Sequence, residues 1–514
     1  MLLVQNKKAV VLSTKRYEEI AALLPKAVPM NLRGKNLVAV RHAPAETQVL
    51  RNMGFTAVPS PILYHYDWPG RFTPMEHQRQ TAAFFTLNRR CICLNAPGTG
   101  KSLSALWAAD YLLSAGEIKR ALIVAPLSTV KPVWANEIYQ HMMHRRFALV
   151  RGTRDKRKAI LEDESNEICV INHDGFTSSK KFMPKFDLVI YDEATALKNP
   201  STVRYRSMYD YCAKHMPWLW LMTGTPVSQQ PTDAWTLAKL VGSPTLPNSY
   251  NRFKDMVMRR VTTFRWEPKP DALDICKRVL VPSIRYQLDE CKDIPDTVYV
   301  DRQAELTPAQ KAAYKQMQEE AAIAGSNISA PNAAVMLNKL LQICCGVVYD
   351  ADSNPVAFDD TSRYQTLKES LEEIGGKVIV FVPFRAVQEH LRKLLAKDKY
   401  DVEVVNGSVT GKERDDIFYR FQHTDSVQVL LAHPKVAAHG LTLTRSSAII
   451  WYAPVYSLEQ YEQANARIRR LSTKGKTLVQ HLYATSFEST LYTRLRNKQK
   501  VLTDFLSLVK GVNE

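Results

Sequence analysis

The apolar run Cys91-Ile92-Cys93-Leu94 leads straight into Asn95-Ala96-Pro97-Gly98-Thr99-Gly100-Lys101-Ser102, and a helical pattern begins at Leu103. A strand, a glycine-rich turn and a helix start in that order are what a phosphate-binding loop in an α/β sheet presents. Glycines let backbone N–H groups curl round an anion at the positive end of the helix. Pro97, Gly98, Thr99 and Gly100 would cradle the phosphates. Lys101 would reach the β- and γ-phosphates, and Ser102 would hold Mg2+. Asn95 stands where the pattern G-x-x-x-x-G-K-[ST] has its first glycine. Taken alone, the string also reads as a chance Gly-Lys-Ser turn.

Phe186-Asp187-Leu188-Val189-Ile190-Tyr191 is a second strand-forming run, and it ends in Asp192-Glu193. Two carboxylates at the C-terminal end of a buried parallel strand lie where open α/β sheets bind ligands. Asp192 would hold Mg2+, and Glu193 would orient and deprotonate an attacking water. A solvated acidic turn is the competing reading, and the position downstream of Lys101 favours the nucleotide site. Far along the chain, Gln463, Arg467 and Arg470 have the spacing to share one helical face or its leading turn. Arginines near a γ-phosphate stabilise charge in the transition state. An ordinary basic helix face is the alternative. Read together, these strings imply two lobes that close on one ATP with Mg2+.

With Thr223-Gly224-Thr225-Pro226 and His439-Gly440-Leu441-Thr442 between them, the ordered strings resemble a superfamily 2 helicase. The likeness narrows to the Snf-type DNA translocases at Thr223–Pro226. It runs on through Pro231-Thr232-Asp233-Ala234-Trp235, Leu306-Thr307-Pro308-Ala309-Gln310 and Leu337-Asn338-Lys339-Leu340-Leu341-Gln342-Ile343-Cys344, covering roughly residues 73–500. Three departures stand out. Thr195 occupies the fourth place of the acidic box, where the family often has His. Val227-Ser228-Gln229-Gln230-Pro231 is closer to the annealing-helicase branch than to the chromatin remodellers. Leu471-Ser472-Thr473 follows Arg470, where the family usually has Ile-Gly-Gln.

The resemblance implies an α/β fold of two RecA-like parallel-sheet lobes with a helical insertion and a small N-terminal α/β domain. It implies that Gln78 reads adenine and that Gly440 and Gln463 border the nucleotide. It makes Thr223, Gly224, Thr225 and Pro226 the coupling element. Pro126, Ser128 and Thr129 would grip a phosphodiester backbone in the first lobe, with Thr442 and Thr444 doing so in the second. Such contacts position a strand without reading its sequence. For each threonine taken singly, a turn-stabilising role competes.

A chain of 514 residues holds more than one domain, and 45% hydrophobic content can fill several cores. The balance of 69 Lys and Arg against 51 Asp and Glu, a formal charge of +18, suits a polyanion track. None of the eight cysteines has zinc-finger spacing, and most lie in apolar runs, as buried reduced thiols do. With no membrane span or signal peptide in the pattern, a cytoplasmic protein is expected.

Residues 1–70 read as two β–α units with an exit linker at Pro59–Gly70, serving either substrate recognition or as a cap. Residues 71–241 form the ATP-binding lobe. In 242–345 the strand signal weakens to a helical insertion. Residues 346–490 form the second lobe, opened by a helix at Thr366–Glu373, and a helix over Leu491–Val509 ends the chain within 491–514. The expected function is an ATP-hydrolysing motor on duplex or branched DNA. A strand-unwinding helicase on DNA or RNA is the nearest alternative, with RNA disfavoured by the resemblance. A nucleotide-gated binding protein is the alternative of another class. No recruiting protein partner can be named from the sequence.

Overall fold

The computed structural model describes residues 1–4, 6, 8–32, 34–224, 230–262, 266–287, 290–291, 297–324, 330–349, 355–437, 443, 445–468 and 477–497. The chain divides into two compact units, Met1–Cys291 and Lys292–Glu514.

The first unit opens with a small antiparallel sheet of β1 (Leu2–Val4), β2 (Ala9–Ser13), β3 (Val28–Leu32) and β4 (Lys35–Arg41), in the order β1-β2-β4-β3. Helices follow β2 at Tyr17–Leu23 and β4 at Pro44–Asn52, as the two β–α units predict. The flanking strands β1 and β3 were not legible in the sequence. β3 is exposed at every residue and contains Pro29, so it carries no apolar alternation and suits only a sheet edge. Val10, Leu12, Ile20, Val38, Val40, Leu50 and Val58 make a core of their own.

The expected exit linker is packed into its neighbour. Ile62 is fully buried, the Ser60 and Thr86 hydroxyls lie 2.7 Å apart, and the Tyr66 hydroxyl donates to Asp110. The Trp107 indole donates to the Pro69 carbonyl, with Trp68 edge-on against the same ring.

Beyond it, β5 (Arg90–Cys93), β6 (Ala121–Ala125), β7 (Phe147–Val150), β8 (Ile168–Asn172), β9 (Leu188–Asp192) and β10 (Trp218–Met222) build a parallel sheet. After the hairpin β11 (Met258–Arg260) and β12 (Trp266–Pro268), the short β13 (Ser283–Ile284) returns to pair with β5, giving the order β13-β5-β10-β9-β6-β8-β7. Alternate residues feed two cores. Cys91, Cys93, Ile123, Ile190 and Trp220 face the helices Glu76–Leu87 and Lys101–Ser114. Ile92, Val124, Val189 and Leu221 face Val203–His215 and Ala234–Val241. Burial on both faces explains why these strands read as unbroken apolar runs.

The second unit holds β14 (Thr297–Gln303), a hairpin of β15 (Val347–Tyr349) and β16 (Pro355–Ala357), then β17 (Val378–Phe381), β18 (Val402–Val405), β19 (Val429–Ala432), β20 (Ala448–Trp451) and β21 (Thr477–Tyr483). Its main sheet is parallel, in the order β14-β21-β20-β17-β19-β18. β14 lies inside the stretch read as helices and loops. Its mostly exposed residues and its charged Asp301-Arg302 hid it, although it pairs with β21 along all seven residues. Helices Pro308–Ala324 and Ala330–Cys344 follow it. The helix expected at Thr366–Glu373 begins earlier, at Thr361, and ends at Ile374. The closing helix runs Ser486–Arg496, and residues 498–509 of the expected Leu491–Val509 helix lie outside the described residues.

Arg363 and Glu488, both inaccessible to solvent, pair at 2.8 Å beneath these helices. The same guanidinium donates to the carbonyls of Cys344, Tyr452 and Leu482. All eight cysteines are buried free thiols. Among the described residues no helix is long and apolar enough to cross a membrane.

Candidate functional site

Parallel register brings the first-unit strings to one edge. Cys93, Met222 and Asp192 lie abreast at the C-terminal ends of β5, β10 and β9. The Thr223 N–H donates to the Cys93 carbonyl at 3.0 Å. β6 ends at Ala125 beside β9, so Pro126 leaves from the same edge. Loops at the carboxyl ends of parallel strands form the binding crevice of such sheets.

The turn after β5 has left-handed backbone at Gly98 (φ 87°) and Gly100 (φ 81°). Its left-handed backbone favours glycine at Gly100, and a Cβ there would stand 2.2 Å from Gln78 Nε2, so Gln78 would have to shift. Lys101 begins the helix Lys101–Ser114, and its ammonium donates to the carbonyls of Asn95 (2.8 Å) and Ala96 (3.1 Å). The Thr99 hydroxyl donates to the Ala96 carbonyl, while Ser102 is half-buried at the helix start. Burial pushes the neighbouring Cys93 thiol up to about 11, against the pull of the Lys101 charge. A glycine turn opening a helix, with a lysine and a hydroxyl at its first two positions, fits a nucleotide's phosphates.

Asn95, the departure from glycine, has a structural reason. Its amide nitrogen donates to the Thr81 hydroxyl (2.9 Å), and its oxygen accepts from the Tyr286 N–H (2.9 Å). It therefore ties the turn to the helix Glu76–Leu87 and to the segment after β13. Gln78, expected at the adenine, sits under the turn. Its oxygen accepts from the Met75 N–H and its nitrogen donates to the Thr99 carbonyl. His77 contacts the same carbonyl at 2.9 Å. Gly224 closes on the turn from the other side, since a Cβ there would stand 2.9 Å from Pro97 Cδ.

At the end of β9, Asp192 Oδ2 accepts from the Trp134 indole N–H at 2.9 Å, and Oδ1 accepts from the Glu193 N–H at 3.1 Å. His173 Nε2 lies 2.9 Å from the Asp192 carbonyl, with its ring stacked on Tyr191. Glu193 adopts left-handed backbone (φ 55°, ψ 59°), which is uncommon outside glycine and is kept where surrounding contacts impose it. Its carboxylate accepts from the Thr195 hydroxyl at 2.9 Å, so the residue that departs from the usual box steadies the expected base. The hard oxygens of Asp192 and Ser102 suit Mg2+. Trp134 and His173 escaped the sequence reading because each acts on a carboxylate or carbonyl distant in the chain.

In the segment after β6, the Thr129 hydroxyl is buried and donates to the Pro126 carbonyl, which is the turn-stabilising role. Ser128 is partly exposed and Leu127 is 74% exposed. In the second unit, Gln463 lies on the helix Leu458–Asn465 and its side chain donates to Glu459. Arg467 follows the helix end, buried, with its Nε donating to the Gln463 carbonyl (3.1 Å) and its own carbonyl receiving the Leu443 N–H. The structure thus joins Gln463 to Arg467, and Arg467 to Leu443. Beneath that helix, burial holds His481 below its ordinary pKa as it bridges Tyr461 and Asp301. Thr225, Pro226, Gly440, Thr442, Thr444 and Arg470 lie outside the described residues.

Comparison with known proteins matches the SNF2-related domain to residues 14–346 and the helicase conserved C-terminal domain to residues 362–472. The chain is 24% identical over 431 residues to MG018, an uncharacterized ATP-dependent helicase of Mycoplasma genitalium. That match covers 81% of this chain and 40% of the Mycoplasma protein, so the chain spans less than half of that relative's length. It is 25% identical over 461 residues to protein p41 of Acyrthosiphon pisum secondary endosymbiont phage 1, covering 85% of this chain and 98% of that protein. Among solved structures, the Sulfolobus solfataricus SWI2/SNF2 ATPase core in complex with dsDNA is similar over 86% of this chain and 96% of that one, at 20% identity and a TM-score of 0.40. With the SNF2-related domain spanning residues 14–346 and the helicase domain following it, the chain belongs to the SNF2-related family.

Proposed function

We propose that this protein is an ATP-hydrolysing motor that tracks along duplex or branched DNA. The observation that carries the reading is the alignment of the Gly98–Ser102 turn, the Asp192-Glu193 pair and Thr223-Gly224 at one edge of a parallel sheet, in a member of this family. Backbone N–H groups of the turn and Lys101 bind the phosphates. Ser102 and Asp192 hold Mg2+, which neutralises charge on the β- and γ-phosphates when bound. Glu193 takes a proton from the attacking water. The family resemblance assigns Arg467 and Arg470 to the charge that develops on the transferred phosphate. Gly224, seated against Pro97, couples the state of the turn to the segment 223–226. Pro126, Ser128, Thr442 and Thr444 hold the phosphodiester backbone, with the net charge of +18 favouring a polyanion.

The test is ATP turnover by the purified protein alone and with single-stranded DNA, blunt duplex, forked DNA and RNA, with Glu193→Gln as the blank. Duplex or forks should stimulate most. Lys101→Ala and Glu193→Gln should lower turnover by about 10²-fold or more, while duplex binding persists. Stimulation confined to single strands or RNA replaces this reading with a strand-unwinding helicase, and full turnover by both variants removes the site assignment.

A further inference from the structure

The chain from Leu127 to His141 is one continuous helical run of changing pitch. A short α-turn at Leu127–Thr129 passes into a π-helix at Val130–Ala135 and then an α-helix at Asn136–His141. π-Geometry is rare and gathers at functional sites. Pro132, without an N–H, interrupts the hydrogen-bond ladder in the middle of it. The start of this run and the far end of its π-segment differ in kind. Leu127 and Lys131 face solvent beside the residues assigned to the phosphodiester. Trp134 is fully buried, packed in the same core as Ile123, Ala125, Ile138 and Met142. From there its indole N–H crosses to Asp192 Oδ2 at 2.9 Å.

We infer that Trp134 is the positioning residue through which a strand seated on residues 126–131 is felt at the Asp192 carboxylate. This rests on the proposed function, which gives Asp192 to Mg2+ and the 126–129 segment to the nucleic-acid backbone. The physical link is short. A hydrogen bond on one carboxylate oxygen fixes the rotation of the group, and with it the lone pairs offered to a cation. Partners of this kind typically change metal affinity or activity by about 10–100-fold when removed. A close-packed core transmits displacement rather than absorbing it, so a shift of the exposed end moves the indole. By linkage, occupancy at Asp192 alters the affinity of the segment for a strand by the same factor. The hydrogen bond thus joins track and fuel within the first unit alone, apart from any contribution of the second-unit arginines.

Trp134→Phe keeps an aromatic ring in the core and removes the N–H. Duplex Kd is measured with and without Mg2+ and a non-hydrolysable ATP analogue, and the Mg2+ concentration for half-maximal analogue binding is measured with and without duplex. The wild type should show a severalfold ratio in both pairs. In Trp134→Phe both ratios should fall severalfold toward 1, and half-saturating Mg2+ should rise by about tenfold or more. In an Asp192→Asn background, adding Trp134→Phe should change nothing further, because both substitutions cut the same path. Wild-type ratios in folded Trp134→Phe, or an undiminished effect of it in Asp192→Asn, overturn the inference and leave the proposed function standing. A wild type that binds neither analogue nor duplex overturns both. Where Trp134→Phe does not fold, Asp192→Asn alone decides, since an intact ratio there refutes a path through the carboxylate.

Discussion

Asn95 shows how a departure from a pattern acquires meaning only in three dimensions. Its side chain is buried and satisfied at both ends, by Thr81 and by the Tyr286 backbone. Asn95→Gly would restore the consensus glycine, yet it strands a half-buried Tyr286 N–H and loosens the turn. It should destabilise the first unit by about 1–3 kcal/mol, read as a lowered urea midpoint, and weaken nucleotide binding. A gain in stability would contradict this account. At this scale the sequence was most legible where function is local in the chain. Gly98, Gly100, Lys101 and Ser102 are neighbours, so the glycine turn and the helix start they form can be read from five consecutive residues. Gln78, Trp134, Thr195 and His173 act through partners set by folding, and Thr195 read as a departure only because the hydroxyl–Glu193 contact was out of sight.

Elements divide along similar lines. β5 and β9 were readable because two covered faces demand apolar residues along most of their length. β14 and β3 were not, because mostly exposed strands carry no such demand and their partners are fixed elsewhere. β14 joins its sheet through β21, with Thr297 opposite Thr477. The helices around Arg363 depend on one buried pair. Arg363→Met would leave the buried Glu488 carboxyl without its ion-pair partner and release three carbonyls. It should cost about 3–5 kcal/mol, measured by urea unfolding of the second unit, with faster hydrogen exchange in Thr361–Ile374 and Ser486–Arg496. Wild-type exchange in both helices would show that the pair does not hold them together.

Over the whole molecule, the organisation was legible as a succession of strands and helices, while the seam after the small sheet was not. Pro and Gly between residues 59 and 70 signalled a linker, whereas Ile62, Tyr66 and Trp68 are packed against the core around Trp107 and Tyr111. Removing residues 1–70 should therefore lower the thermal midpoint of the first unit by several degrees and depress basal ATP turnover. Removing only 1–58 should spare both, because the core of Val10, Ile20, Val40 and Leu50 leaves as a unit. Equal damage from the two truncations would mean that the small sheet itself supports the lobe. Selective loss of stimulation by forks after the shorter cut would give the small sheet a part in choosing the substrate.

The helix Lys101–Ser114 carries a practical opportunity for instrumentation. It starts at the turn and ends in exposed Ala115-Gly116-Glu117, about 20 Å away by helical rise. A Cβ at Gly116 would meet nothing within 4 Å, so the space around that turn is open. A dye-bearing peptide tag spliced after Gly116 would sit on a rigid rod whose other end is the turn itself. Paired with an emitter on a DNA duplex, it would serve as a ruler that tests the proposed movement directly, read one molecule at a time.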